Sequence, residues 1–374
     1  MSRLSAKSLI GRISRRLFRA PTYARSSEAL HTILAHSTPR RLFNLLLVET
    51  EFRLRRTRLW GRPYVLVVDP TNVCNLKCPL CPTGLLKQGR KGQMMPWETF
   101  THTIDMLAPW AYKVNLFNWG ESLLHTHIFD MIRYAKKKHL GTTLSSNMSV
   151  ELKDESVDEL INSGLEFLCL SIDGVSQENY SHYRRKGSLD LVLKNVRQLV
   201  RRRKELGSRT PVIEWQFIPM KHNEHEVEEA KRLAAEIGVD RFRCIPVGLP
   251  FDSDNSSQLK EEWFPITITN GQVANVEEIS SNEQAQTPCY FLYRYLVVNP
   301  DGRTSPCCVV YGEKNDFGDM ATDNFKNLWN NSKYRSGRAQ FARGGKVEEP
   351  TVCDNCDLFA KRSESFAAYR KKPH

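Results

Sequence analysis

The chain has 374 residues, of which 40% are hydrophobic and 26% charged. That is long enough for two domains, or for one large α/β domain with an appendage, and it excludes a fibrous or wholly disordered protein. The net charge of +12 is local: residues 1–62 carry fourteen Lys and Arg against three acids, Glu28, Glu49 and Glu51, and the rest of the chain is nearly neutral. A nucleic-acid enzyme usually carries basic residues around its active groove, so no nucleic-acid partner is expected.

From the N-terminus, Leu4–Phe18 alternates apolar residues with Arg12, Arg15 and Arg16. This pattern fits a basic amphipathic helix on an anionic membrane surface, and equally a solvated helix capping the body. No apolar run reaches the length that spans a bilayer, and no secretory core is present. The expected location is cytoplasmic or peripheral at the membrane.

Residues 63–250 alternate short β-branched runs with helical patterns. Strands are expected at Tyr64–Val68, Val114–Phe117, Thr142–Ser145, Phe167–Ile172, Val212–Ile218 and Phe242–Ile245. Between them Trp97–Leu107, Ile128–Lys138, Leu189–Leu206 and Glu224–Ile237 read as helices, the last stopped by Gly238. Six such units predict an α/β fold with a parallel sheet, a partial (β/α)6 TIM-type barrel open on one side. Residues 251–286 are polar and read as a linker carrying little core. Residues 287–360 form a small cysteine-bearing domain with a hairpin at Tyr295–Cys307, residues 361–374 a basic tail, and residues 1–62 a basic helical arm.

The ten cysteines fall into tight groups, which in a chain without an export signal read as metal ligands rather than disulfides. Cys74, Cys78 and Cys81 follow the first strand in a single loop, and their thiolates suit an iron–sulfur cube with one iron left open. Zinc prefers four ligands, and no fourth lies near in sequence; a redox CxxC pair leaves Cys74 unexplained. Cys289, Cys307, Cys353 and Cys356 offer four thiolates, enough for a second cluster and equally enough for tetrahedral zinc, and Cys308 competes with Cys307 for the role of ligand. Cys169 is assigned to the strand core. Cys244 is assigned to packing as well, with hydrogen-atom donation to a substrate radical as the alternative if it points into the barrel.

The loop Thr71-Asn-Val-Cys74-Asn-Leu-Lys-Cys78-Pro-Leu-Cys81 resembles the CX3CX2C signature of the radical S-adenosylmethionine (SAM) superfamily. The resemblance extends to Asn118-Trp119-Gly120-Glu121, similar to the motif that binds the SAM amino group, with Trp119 in place of a commoner glycine. Ser145-Ser146-Asn147 resembles the third-strand end that reaches the SAM ribose or carboxylate. Ser171-Ile172-Asp173-Gly174 with Tyr180 and Arg184 resembles a fourth-strand block in which the arginine pairs with the SAM carboxylate. Leu80 departs from the aromatic residue common beside the last cysteine. The spacing from Cys289 through Gly302 to Cys307 resembles the opening of a SPASM domain, here truncated to one auxiliary cluster.

The resemblance implies a SAM-binding [4Fe-4S] cluster, an auxiliary [4Fe-4S] cluster and an external electron donor such as flavodoxin or ferredoxin. It implies reductive cleavage of SAM to a 5′-deoxyadenosyl radical that abstracts hydrogen from the substrate. Residues 1–62 do not match a peptide-binding domain, which favours a small-molecule or lipid-linked substrate, sugar-like in type, undergoing oxidation or epimerisation. A peptide-maturing enzyme and a non-catalytic iron–sulfur electron carrier are the competing expectations.

Overall fold

The computed structural model describes residues 26–253, 255–266, 288–342 and 344–356. The segments Leu4–Phe18 and 361–374, expected to be a basic amphipathic helix and a basic tail, lie outside the described residues.

Two helices open the described chain, α1 (Ser26–His36) and α2 (Pro39–Arg53). Thr38 caps α2 by accepting from the Arg41 amide, and Pro39 supplies the preset first turn. Six strands follow: β1 (Val65–Val68), β2 (Lys113–Asn115), β3 (Gly141–Ser146), β4 (Phe167–Ser171), β5 (Val212–Phe217) and β6 (Arg241–Cys244). They pair in parallel and in sequential order. The connecting helices are α3 (Trp97–Leu107), α4 (Ile128–Lys137), α5 (Asp154–Asn162), α6 (Gln177–Tyr183), α7 (Leu189–Glu205) and α8 (Val227–Ile237). Gly238, at φ +90°, ends α8 in the left-handed conformation that a side chain disfavours.

Strand alternation separates two environments. Leu144, Leu168, Leu170, Ile213, Trp215 and Phe217 are fully buried in the main core. Their neighbours Thr143, Ser145, Cys169, Glu214, Gln216 and Arg243 line the barrel interior instead. The interior therefore carries polar side chains beside Phe117, Phe167 and Val212, and the main apolar layer lies outside the strands.

The barrel does not close on itself. The free edge of β1 is taken in parallel by β7 (Tyr295–Val298), with Val65 opposite Tyr295 and Val68 opposite Val298. After the short helix α10 (Phe291–Arg294) and β7, the chain turns into β8 (Arg303–Ser305) and β9 (Gly318–Asp319), both antiparallel. The cysteine-bearing C-terminal unit thus continues the barrel's own sheet, nine strands in all among the described residues.

Within 1–62, α1 and α2 lie across the amino ends of the strands. The Arg41 guanidinium donates to the His36 carbonyl at the end of α1 and to those of Ala108, Lys138 and His139, in the turns that lead into β2 and β3. His36 pairs with Glu166, just ahead of β4, at 2.8 Å, and Glu28 pairs with Lys113 at 2.8 Å. Burial pushes the Glu166 carboxyl up, but hydrogen bonds from His36 and Lys136 outweigh it and hold it below the usual range.

The polar stretch after β6 carries more core than expected. Its helix α9 (Ser256–Trp263) inserts Trp263, 1% exposed, among Leu76, Cys78, Leu80, Tyr183 and Met220. One large aromatic residue in a polar run leaves little mark on composition.

Candidate functional site

All the motif residues collect at the carboxyl ends of β1 to β5, where a parallel barrel places its loops. The cysteine loop leaves β1 through Asp69, which is fully buried and accepts from the Trp119 amide at 3.2 Å. Burial raises the Asp69 carboxyl to about 7 against the backbone amides of Trp119, Gly120 and Asn118. The loop after β2 comes so close that a Cβ on Gly120 would lie 1.9 Å from the Thr71 carbonyl oxygen. Glycine is required there because backbone meets backbone. Gly84 plays the same part at Cys78, whose carbonyl oxygen lies 2.3 Å from where a Cβ would sit.

Glu121 is buried, and its two oxygens are engaged with backbone. Oε1 accepts from Leu123 at 3.0 Å and Oε2 from Asn147 at 2.7 Å. Its carboxyl is raised by burial, against those amides. Asn147 turns its side-chain nitrogen to the Cys74 thiol at 3.8 Å and to Asn75 Oδ1 at 3.0 Å. Asn75 in turn donates to the Ser149 carbonyl at 2.6 Å. The carboxylate expected to bind SAM thus also ties the second loop to the third.

Arg184 closes the other side. Its Nε donates to Asp173 Oδ2 at 2.6 Å, and Asp173 Oδ1 accepts from Ile218 at 2.7 Å. The Cys78 thiol is pushed up to about 11 by burial, against the charge and hydrogen bond of Arg184. Cys74 is pushed up to about 12 by burial. Ser145 Oγ lies 3.3 Å from Ser171 Oγ at the mouth of the interior.

Below this mouth Ser145, Cys169, Glu214, Gln216, Arg241 and Arg243 border a narrow cavity of about 40 Å³. Glu214 pairs with Arg243 at 2.7 Å. Asn115 Oδ1 and Thr143 Oγ1 are buried with no hydrogen-bond partner among the described residues. One cysteine assignment reverses here, and for the other the alternative role fails. Cys169 faces the interior, its Sγ 3.5 Å from Gln216 Oε1, and is not part of the strand core. Cys244 stands opposite Phe217 in register and lies beside Glu228 and Lys231 of α8, so it faces the outer, apolar side. Cys244 is therefore not placed to donate hydrogen inside the barrel. Arg241 and Arg243 take the inward positions of β6.

The second thiol set is also gathered. Cys289, Cys307, Cys353 and Cys356 border one apolar cavity with Phe251, Phe291 and Phe341. Burial holds Cys307 and Cys353 above the ordinary thiol range. Thr351 and Asp354 form a capping box that fixes the turn Val352–Asn355, which carries Cys353. Cys308 is buried in the main core and does not border this cavity. Thiolate-only donors in groups of three and four fit iron–sulfur cubes, the first with one iron free for a small molecule. Among the described residues, no three His, Cys, Asp or Glu side chains converge tightly enough to hold a single metal ion.

Three residues of the site were not expected from sequence: Asp69, Asn75 and Gly84. An acid directly after an all-apolar strand is the signal that marks Asp69; Asn75 and Gly84 show no signal apart from their place in the loop.

The profile of the radical SAM superfamily matches residues 68–234, and that of an iron–sulfur cluster-binding domain, SPASM, matches residues 289–357. The chain is 26% identical over 210 residues to the AdoMet-dependent heme synthase of Methanosarcina barkeri, covering 54% of this chain and 58% of that protein. It is 25% identical over 179 residues to the tungsten-containing aldehyde ferredoxin oxidoreductase cofactor-modifying protein of Pyrococcus furiosus, covering 47% and 49%. The chain thus spans about half the length of these curated relatives. In three dimensions it is similar to Streptococcus suis SuiB bound to precursor peptide SuiA, with a TM-score of 0.58 at 15% identity, covering 95% of this chain and 82% of that one. The cysteine loop, the strand-end motifs, the parallel sheet and the two profile matches agree: the chain belongs to the radical SAM superfamily and carries a SPASM domain after its radical SAM domain.

Proposed function

We propose that this protein cleaves SAM reductively and uses the resulting radical to take hydrogen from a small polar substrate bound at the mouth of the barrel interior. The observation that carries this reading is the pair of side chains laid on the cysteine loop, Asn147 against Cys74 and Arg184 against Cys78, directly above an interior that carries polar side chains. When bound, the three-thiolate cluster supplies the electron that breaks the sulfonium bond of SAM, yielding the 5′-deoxyadenosyl radical. Arg184, held by Asp173, orients a carboxylate; Glu121 keeps acceptor lone pairs for an ammonium group beside its two amide contacts. Gly120 lets backbone carbonyls approach the same ligand, and Trp263 seals the loop from water on its outer side.

The unpartnered Asn115 and Thr143 oxygens, with Gln216 and Arg243, favour a substrate rich in hydroxyl or amide groups over an apolar one. This suits a sugar-like small molecule, free or lipid-linked, oxidised or epimerised, with flavodoxin or ferredoxin as electron donor. The thiol of Cys169 in the interior favours epimerisation, because a second hydrogen donor lies on the substrate's path. Its burial, which pushes the thiol up to about 12, keeps it as neutral S–H at ordinary pH. In that reading the substrate carbon radical takes hydrogen from Cys169. The thiyl left behind regains one electron from the low-potential donor and a proton from water.

Anaerobic reconstitution followed by dithionite and SAM tests the core of the proposal. Release of 5′-deoxyadenosine is expected; an iron-replete protein that releases none is an electron carrier, and the proposal fails.

A further inference from the structure

The two N-terminal helices distribute charge in the reverse of an ordinary surface. Every acid within residues 1–62 is buried. Glu28 pairs with Lys113 at 2.8 Å, Glu49 with Arg294 at 2.7 Å, and Glu51 accepts from the amides of Trp60 and Gly61 at 2.8 and 3.1 Å. The outward face carries large apolar side chains instead. Phe43 is 65% exposed, Leu46 66% and Trp60 82%, and Leu34, Leu42 and Leu54 are exposed in the same segment. Arg40, Arg53, Arg56 and Arg58 are exposed on the same two helices and the turn that follows, with no exposed acid among the described residues of the segment. Single exposed apolar residues are ordinary, but a cluster rimmed by one sign of charge marks a binding surface.

We propose that this face docks on an anionic lipid bilayer. Aromatic and leucine side chains enter the headgroup boundary while the arginines meet lipid phosphates. Charge decides among occupants. A second copy would set arginine against arginine, and the exposed acid beside them, Glu348 near Arg58, is already paired with Arg335. The chain ahead of Ser26 has the same sign, seven Lys and Arg and no acid, and adds to attraction for an anionic surface. The face lies at the amino ends of the strands, across the barrel from the cysteine loop. Docking there leaves the mouth turned to water, open to a soluble electron donor and to a substrate arriving from the aqueous side.

Co-sedimentation of the full-length protein with vesicles tests this. Vesicles of equal parts phosphatidylglycerol and phosphatidylcholine should bind it, phosphatidylcholine alone should bind it at least about tenfold less, and added salt should weaken the binding. The triple substitution Phe43→Ser, Leu46→Ser, Trp60→Ser should reduce binding to the anionic vesicles by about tenfold or more. These side chains are exposed, so 5′-deoxyadenosine release without vesicles and the circular dichroism melt should both stay unchanged. Activity thereby separates this inference from the proposed function. No binding to purified anionic vesicles, or binding untouched by the triple substitution, overturns it. Sedimentation velocity showing a dimer that the substitutions dissociate overturns it in favour of a second copy. Binding only to an acidic protein does so in favour of a protein partner.

Discussion

The side-chain nitrogen of Asn147 sits 3.8 Å from the sulfur of Cys74, while its backbone amide donates to Glu121 at 2.7 Å. One residue at the end of β3 thus touches both a cluster thiol and the carboxylate of the adjacent loop. An N–H donor near a cluster sulfur stabilises the more negative, reduced state. Asn147→Ala should lower the midpoint potential of the first cluster and slow 5′-deoxyadenosine formation by roughly 10–100-fold, the usual scale for losing a contact outside the ligands. Potentiometry followed by electron paramagnetic resonance reads the shift. An unchanged potential would remove Asn147 from this role.

Gly120→Ala places a methyl group where the Thr71 carbonyl already stands. Backbone cannot rotate away as a side chain can, so the cysteine loop must move. Iron content should fall from about eight toward about four per chain, with only the C-terminal cluster retained. Full iron content together with unchanged activity would show that the loop yields without cost.

Arg184 and Asp173 form a buried ion pair with side-chain exposures of 14% and 0%. Removing one partner leaves a buried charge uncompensated, which costs about 3–5 kcal/mol. Arg184→Met should lower the urea midpoint accordingly. Arg184→Met combined with Asp173→Asn should recover part of the loss, because the lone carboxylate is gone. Neither variant should support SAM cleavage at the original rate, so stability and activity should part in the double variant.

His222 lies against His182 and Trp263, with ring centroids 4.5 and 5.7 Å away. Burial and the neighbouring His182 lower its imidazole to about 4. Its ordinary value is near 6.5, so between pH 6.5 and 4 the unfolded chain binds a proton that the folded chain refuses. Stability therefore falls as pH drops through this window and is unaffected above it. The thermal midpoint should decline from pH 6.5 to 4, and His222→Phe should flatten that decline. Equal slopes in the two proteins would exclude His222 as the source.

Cys169 and Cys244 make a paired test. Cys169→Ala should abolish an epimerised product while SAM cleavage continues, and Cys244→Ala should leave both intact. Solvent deuterium should enter the product of the original protein, since the Cys169 proton exchanges with water. If the two variants behave alike, the inward orientation of Cys169 has no bearing on product formation.

Much of the barrel could be read in advance because its signals are local. The helix Trp97–Leu107 has the expected bounds, and Gly238 ends α8 as its position implies. The cysteine loop, Glu121, Asn147 and Arg184 follow their strands in order, so knowing that strands are parallel is enough to bring them to one end. The faces of the strands were harder to assign. Phe167–Ser171 looks apolar on both sides, and nothing local says that Leu168 and Leu170 meet helices while Cys169 meets the interior. In β6 Arg241 and Arg243 take the inward positions, and Cys244 packs outward as assigned, because side chains alternate at every step. The pairing of β7 with β1 joins residues more than two hundred positions apart, and no local pattern records it. Trp263 and Asp69 act through single contacts that composition averages away.

β1 is held on one side by β2 and on the other by β7, with the cysteine loop at its end. The strand that delivers the first cluster site is therefore an interior strand only because the C-terminal unit is present. A barrel produced alone would expose Val65–Val68 as an unpaired, wholly apolar edge, the kind of template on which chains aggregate. The two iron-binding units of this protein cannot be exchanged like modules with those of relatives, since cutting between them opens the sheet they share.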